Sequence, residues 1–238
     1  FYSIQGIVSL FMPALMGIVA DRWIPAEKAL SLCHALAGTF MIATGAYGLF
    51  AGDAVEFATL FSLYTASVAF FMPTLALSNS VAYNALTQAN LDTVKAFPPI
   101  RVLGTVGFIV TMWVVDTCSF LEPDHTFTLS FLHSEEVLEE AGLKLLSFQS
   151  TPWQFVISGA LSILLALYSL TLPKCPVKGE VKNKSIIEAL GLEAFALFKQ
   201  KKMAVFFVFS MLLGMCLQIT NGYANTFLGS FEYFKEWT

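Results

Sequence analysis

Six apolar segments, separated by polar stretches, account for most of the chain. Each is close to the ~20 residues that a helix needs to cross the hydrocarbon core of a bilayer. The pattern therefore predicts an all-α, polytopic membrane protein. The predicted spans cover residues 4–20, 30–51, 57–79, 98–118, 153–172 and 203–227. The third is expected to continue as helix beyond Asn79, into solvent or a cavity.

The composition agrees with a membrane protein. The 238 residues are 56% hydrophobic and only 13% charged, whereas about a quarter of the residues in a soluble domain are charged. A net charge of −4 argues against a nucleic-acid partner. The four cysteines and three histidines lack the spacing of a metal site, so we predict no metal and no cofactor.

Basic residues indicate the orientation of the loops. Residues 21–28, 86–97 and 173–202 contain all but three of the thirteen Lys and Arg residues, and they alternate onto one face. By the positive-inside rule this face is predicted to be cytoplasmic. On the opposite face, the long loop 119–152 carries an acidic run (Glu135, Glu136, Glu139 and Glu140), interpreted as solvated carboxylates.

One long polar stretch divides the chain. We expect residues 1–173 to form most of a first helical bundle, residues 174–202 a cytoplasmic linker, and residues 203–238 the start of a second bundle. Within the linker, apolar positions between Ser185 and Lys199 predict an amphipathic helix lying on the membrane surface.

The fourth apolar segment carries an unusual polar face. Pro98 and Pro99 are interpreted as its helix start, because a proline at the first turn loses no hydrogen bond. Arg101, Thr105 and Phe108 then follow at i, i+4 and i+7, on one helix face. They could contact a polar ligand; alternatively, Arg101 extends to the lipid headgroups and Phe108 faces lipid.

Amides form a second stripe, in the last segment. Gln218, Asn221 and Asn225 are spaced at i, i+3 and i+7, and each offers a donor and an acceptor. They suit a ligand with hydroxyls and a polar ring edge, or else they hold neighbouring helices together. Asn79 and Tyr83 share a face of the third helix, where packing and cavity lining are both open.

The string Gly17-Ile-Val-Ala-Asp21-Arg22 lies at the end of the first segment and resembles the G-x-x-x-D-R signature of the major facilitator superfamily. The resemblance implies that Asp21 and Arg22 belong to a cytoplasmic latch that closes in the outward-open state. The usual second glycine and basic residue are absent, since Ile24, Pro25 and Ala26 follow. The chain is then expected to be an internal piece of a twelve-span protein, carrying spans two to seven.

Four longer strings resemble a narrower family, the bacterial nucleoside–proton symporters of the NupG type. They begin at Phe11, Phe97, Leu192 and Phe209 and end at Trp23, Phe108, Lys199 and Asn221. The resemblance implies that Arg101, Thr105, Phe108, Gln218 and Asn221 contact a nucleoside. The stretch 121–149 is longer than this family leads us to expect.

The resemblance implies proton-coupled nucleoside import by alternating access in a bacterial inner membrane, with nucleoside, protons and the bilayer as partners. Apart from Asp116, at the outer end of the fourth predicted span, no carboxylate lies inside the six spans, so the coupling acid is expected beyond Thr238. The alternatives are a major facilitator for a sugar or drug, and a membrane scaffold. No nucleophile–base pair or phosphate loop indicates an enzyme, and no oligomeric state is predicted.

Overall fold

The structure is a computed structural model that describes residues 2–122, 126–133, 137–138, 141–176, 197–228 and 230. The chain divides into two compact units, one over residues 3–180 and one over residues 181–238. Within the described residues, the first unit holds five long helices and a small sheet. A single long helix is described in the second unit.

The helices match the six apolar segments in number and order. In chain order they are α1 (Tyr2–Arg22), α2 (Ala26–Ala51), α3 (Phe57–Gln88), α4 (Thr93–Thr117), α5 (Trp153–Ser169) and α6 (Lys201–Leu228). All except the 17-residue α5 have the length and hydropathy to cross a membrane. The continuation of α3 beyond Asn79 is confirmed.

Helix α2 lies at the centre of the first unit, packed between α3 and α5. Small side chains permit this closeness, and hydroxyls bond across the helices. Ser31 Oγ donates to the carbonyl of Ala166 on α5 at 2.7 Å, and Ser67 Oγ of α3 donates to the carbonyl of Ala37 at 2.8 Å. Close approach and interhelical hydrogen bonds are the main associating forces between helices in lipid, where the hydrophobic effect contributes little.

Helix α4 begins earlier than the sequence predicted. Its first residue is Thr93, and the Asp92 carboxylate caps the helix by accepting from the backbone N–H of Val94 at 3.0 Å. Pro98 and Pro99 lie inside the helix, so their interpretation as its start was wrong. An N-cap aspartate satisfies an otherwise unpaired N–H and can start the helix more than a turn ahead of the prolines.

Helix α2 also begins earlier, at Ala26, directly after Pro25. It therefore includes Glu27, which is only 4% exposed. The prediction that no carboxylate lies inside a span was wrong for this helix, because the bounds of the apolar run were taken for the bounds of the helix.

The loop between α4 and α5 contains a sheet that the sequence did not predict. Strands β1 (Cys118–Glu122), β2 (Thr126–Leu129) and β3 (Lys144–Ser147) form an antiparallel sheet in the order β2-β1-β3. Phe120 pairs with Phe127 on one side and Leu146 on the other. The predicted fold class is confirmed, since the described chain is mostly helical, and the sheet is confined to this loop. The acidic run lies outside the described residues, as does the predicted amphipathic helix apart from residues 197–199.

Candidate functional site

The three predicted ligand contacts on α4 are all exposed. Arg101, Thr105 and Phe108 keep their i, i+4, i+7 spacing, and Phe108 is 62% exposed. None of the residues of α4 is buried. Within the described part of the chain, nothing lies within 4 Å of a Cβ added at Gly104 or Gly107. The first unit thus leaves this face of α4 open.

Ring stacking joins the start of α4 to α3. The Tyr83 and Phe97 rings stack at a centroid distance of 4.3 Å and an angle of 27°. Tyr83 therefore serves to pack α3 against α4, while its side chain remains 44% exposed. Asn79, one turn earlier on α3, is half-buried. A contribution of either residue to a ligand cavity stays a prediction.

The amide stripe lies on α6, in the second unit. Gln218 is exposed, and the helix runs unbroken past the positions of Asn221 and Asn225 to Leu228. The helical spacing that places the three amides on one face is therefore present in the backbone. The side chains of Asn221 and Asn225 are outside the described part of the structure.

The predicted latch residues end α1. Asp21 and Arg22 are exposed, and Arg22 is the basic residue of the last helical turn. A tight turn follows, in which the N–H groups of Trp23 and Ile24 donate to the carbonyl of Val19 at 2.9 and 3.1 Å. This turn presents the charged pair at the end of the bundle where α2 begins.

Two buried polar contacts were missed by the sequence. On α2, His34 Nδ1 lies 3.2 Å from Ser162 Oγ of α5, and that hydroxyl also donates to the His34 carbonyl at 3.0 Å. At the start of the same helix, the Glu27 carboxylate accepts from the Cys175 N–H at 3.0 Å. The only signal in the sequence was a polar residue within or beside an apolar run. Among the described residues, no three His, Cys, Asp or Glu side chains converge on a metal position.

The order of the long helices is that of part of a major facilitator, a class of membrane transporter. The nucleoside transporter NupG (D323A mutant) matches at a TM-score of 0.69 and 38% identity, over 98% of this chain and 50% of that one. A second crystal structure of NupG matches at a TM-score of 0.61. Both likenesses support a multi-pass helical membrane protein.

Residues 1–236 match the family model described as Nucleoside H+ symporter, and the chain belongs to that family. The xanthosine permease of Escherichia coli K12 is 44% identical over 230 residues, which are 97% of this chain and 47% of the permease. The nucleoside permease NupG of the same strain is 42% identical over 232 residues, with the same coverage. The chain thus spans about half the length of the curated relatives it matches.

Proposed function

We propose that the full-length protein imports nucleosides across the bacterial inner membrane, together with protons, by alternating access. The observation that carries this proposal is the match of residues 1–236 to the nucleoside H+ symporter family. The names of the relatives, a xanthosine permease and a nucleoside permease, support the same substrate class.

In this proposal the open face of α4 forms one wall of the nucleoside site. Phe108 offers an exposed ring on which a nucleobase stacks, and Arg101 supplies charged donors to a hydroxyl or carbonyl. Thr105 lies between them on the same face and adds a hydroxyl. A guanidinium within a membrane-spanning helix costs several kcal/mol, so such residues are rare and usually have a function. Binding a polar substrate is such a function.

The amides of α6 are proposed to make further polar contacts with the nucleoside. Gln218 and Asn221 would bind the ribose hydroxyls and the polar edge of the base, and Asn225 would line the cavity beyond them. From the first bundle, Asn79 and Tyr83 would add to that lining.

The conformational change is proposed to move rigid bundles. Because α2 is held to α3 and α5 by close packing and buried hydroxyl bonds, these three helices should move as one body. Asp21 and Arg22 would stabilise the outward-open state from the cytoplasmic end. The positive-inside rule supports a cytoplasmic location for this end, because the basic loops are predicted to lie there.

Uptake by the full-length protein tests this function. Bacterial cells that lack their own nucleoside permeases would express it and receive radiolabelled uridine, adenosine or xanthosine. We expect accumulation that excess unlabelled nucleoside blocks, that hexoses do not block, and that a protonophore abolishes. Uptake that is blocked by hexoses and is indifferent to nucleosides would show a sugar transporter instead. Normal membrane levels without any uptake would favour a scaffold.

A further inference from the structure

The chain that follows α5 is held to the first bundle by three polar side chains from two helices. Glu27 Oε2 on α2 accepts from the Cys175 N–H at 3.0 Å. From α3, Gln88 Nε2 donates to the Lys174 carbonyl at 2.8 Å, and Asn84 Nδ2 lies 3.4 Å from the same oxygen. The carbonyl and the N–H of the Lys174–Cys175 peptide group are therefore both engaged by the bundle.

Of these three side chains, Glu27 has the least expected position, because its carboxylate is buried. It is 4% exposed, and burying a carboxylate is unfavourable unless hydrogen bonds and positive potential offset the lost hydration. Both are present. Glu27 lies in the first turn of α2, where the helix dipole favours negative charge, and it accepts a charge-assisted bond from Cys175.

Two prolines explain why the peptide groups of this stretch need hydrogen-bond partners from other parts of the chain. Pro173 and Pro176 have no N–H, and each restricts the residue before it to extended conformations. The chain therefore cannot continue the α5 helix, and its peptide groups must bond to something else. Cys175 is 8% exposed and belongs to the same apolar cluster as Leu30 and Val81. The stretch is thus docked by packing as well as by hydrogen bonds.

We propose that Glu27, Asn84 and Gln88 form a linker clamp, which fixes the first residues of the predicted interbundle linker onto the first bundle. Glu27 is its central positioning residue, because it is the buried one and the one with a charge. The clamp sets the point from which the linker can extend, and the reach of a tether depends on its free length. This consequence for transport rests on the proposed function, whereas the clamp itself does not.

Cys175 provides a direct reporter of the clamp. Its thiol is buried, and burial followed by the charge of Glu27 raises its pKa, so it should react slowly with a maleimide while the stretch is docked. Release of the stretch would expose the thiol to solvent. The labelling rate of Cys175 therefore measures how often the clamp opens.

The experiment uses the full-length protein in membranes, with Cys175 as its single cysteine and a membrane-permeable maleimide. We expect Glu27→Ala to raise the labelling rate at pH 7 about tenfold or more, the effect of losing a hydrogen bond to a charged group. Glu27→Gln keeps an acceptor oxygen in the same place and should stay within about threefold of the unsubstituted protein. Gln88→Ala removes an exposed side chain, so folding is not at risk, and should raise the rate severalfold.

A matched protein with Cys33 as its single cysteine controls for unfolding. Cys33 lies in the same apolar cluster and is 0% exposed, so it should stay unlabelled in every variant. Equal labelling of Cys175 with and without Glu27→Ala and Gln88→Ala would overturn the clamp. So would labelling of Cys33 as fast as Cys175 in Glu27→Ala, because the bundle itself would then have opened.

Uptake kinetics of the same variants test the role in transport. Since no clamp residue lies on the proposed nucleoside face, we expect a lower maximal rate and a KM that changes less than about twofold. A raised KM at an unchanged maximal rate would overturn that role. If the unsubstituted protein transported no nucleoside, the proposed function would fail, and the maleimide result would still decide whether the clamp exists.

Discussion

Gly38 of α2 and Gly159 of α5 are packed backbone to backbone. A Cβ added to either residue would come within 2.7 Å of the carbonyl oxygen of the other, closer than a carbon and an oxygen can approach. The contact is reciprocal, and neighbouring side chains close it: Ile163 Cγ1 would lie 2.8 Å from the new Cβ at Gly38. Only glycine fits at both positions, as is common where membrane helices pack most closely.

Replacing either glycine should therefore separate the two helices. We expect Gly38→Ala and Gly159→Ala each to destabilise the protein by about 1–3 kcal/mol, the usual cost of overpacking. The measurement is the midpoint of thermal unfolding in detergent. Gly6→Ala is the control, because no described atom lies within 4 Å of a Cβ there. An equal midpoint for Gly38→Ala and Gly6→Ala would contradict the packing.

The buried contact between His34 and Ser162 gives a second stability prediction. Ser162→Ala leaves His34 Nδ1 without its hydroxyl partner inside the bundle, and an unsatisfied buried polar group costs about 1–3 kcal/mol. Ser62→Ala is the matched control, since that hydroxyl is exposed and donates within its own helix, to the Ala58 carbonyl. Thermal unfolding of the two variants should show a loss for Ser162→Ala only, and a comparable loss in both would argue against the contact.

The guanidinium on α4 provides the sharpest test of the nucleoside site. Because Arg101 is exposed and α4 has no buried residue, Arg101→Ala should leave membrane levels normal. We expect kcat/KM for nucleoside uptake to fall about tenfold or more, the effect of losing a charge-assisted hydrogen bond.

Leu103→Ala is the control for this variant, on another face of α4 and likewise exposed, at 70%. It should change uptake less than about twofold, since an exposed apolar truncation removes no polar contact. Reduced membrane levels of Arg101→Ala, with normal uptake per molecule, would instead indicate that Arg101 contributes to assembly.

The thiol of Cys175 gives a prediction in pH. Burial first, and then the negative charge of Glu27, raise its pKa above the ordinary 9.0. A raised pKa leaves less thiolate at any given pH, so the maleimide labelling rate should still be rising at pH 9. Glu27→Gln removes the charge and keeps the burial, and should shift the rate profile towards lower pH. A profile that levels off below pH 9 in both proteins would show that the thiol is not buried beside a carboxylate.

Much of the helical frame could be predicted from the sequence. Apolar length and hydropathy are local properties, and they indicated six helices in the right order, including the extension of α3 past Asn79. The motif at Asp21 and Arg22 and the strings around Arg101 led to the family that the comparisons then confirmed. The nucleoside roles of Arg101, Thr105 and Phe108 remain predictions.

The errors arose where a distant or non-apolar residue decides the outcome. The start of α4 depends on the Asp92 side chain, and the apolar pattern gives no weight to a cap. The sheet depends on the pairing of Phe120 with Leu146. These residues are far apart in the sequence, so a local pattern does not predict their contact.

The sequence by itself determined that this is a helical membrane protein and where its helices lie, because burial in lipid requires only a long apolar run with internally bonded backbone. Tertiary structure alone decided that Gly38 meets Gly159 and that Glu27 is buried against Cys175. Such contacts depend on the relative position of two helices or segments. That position results from packing summed over the whole bundle, which is not encoded at any single position in the chain.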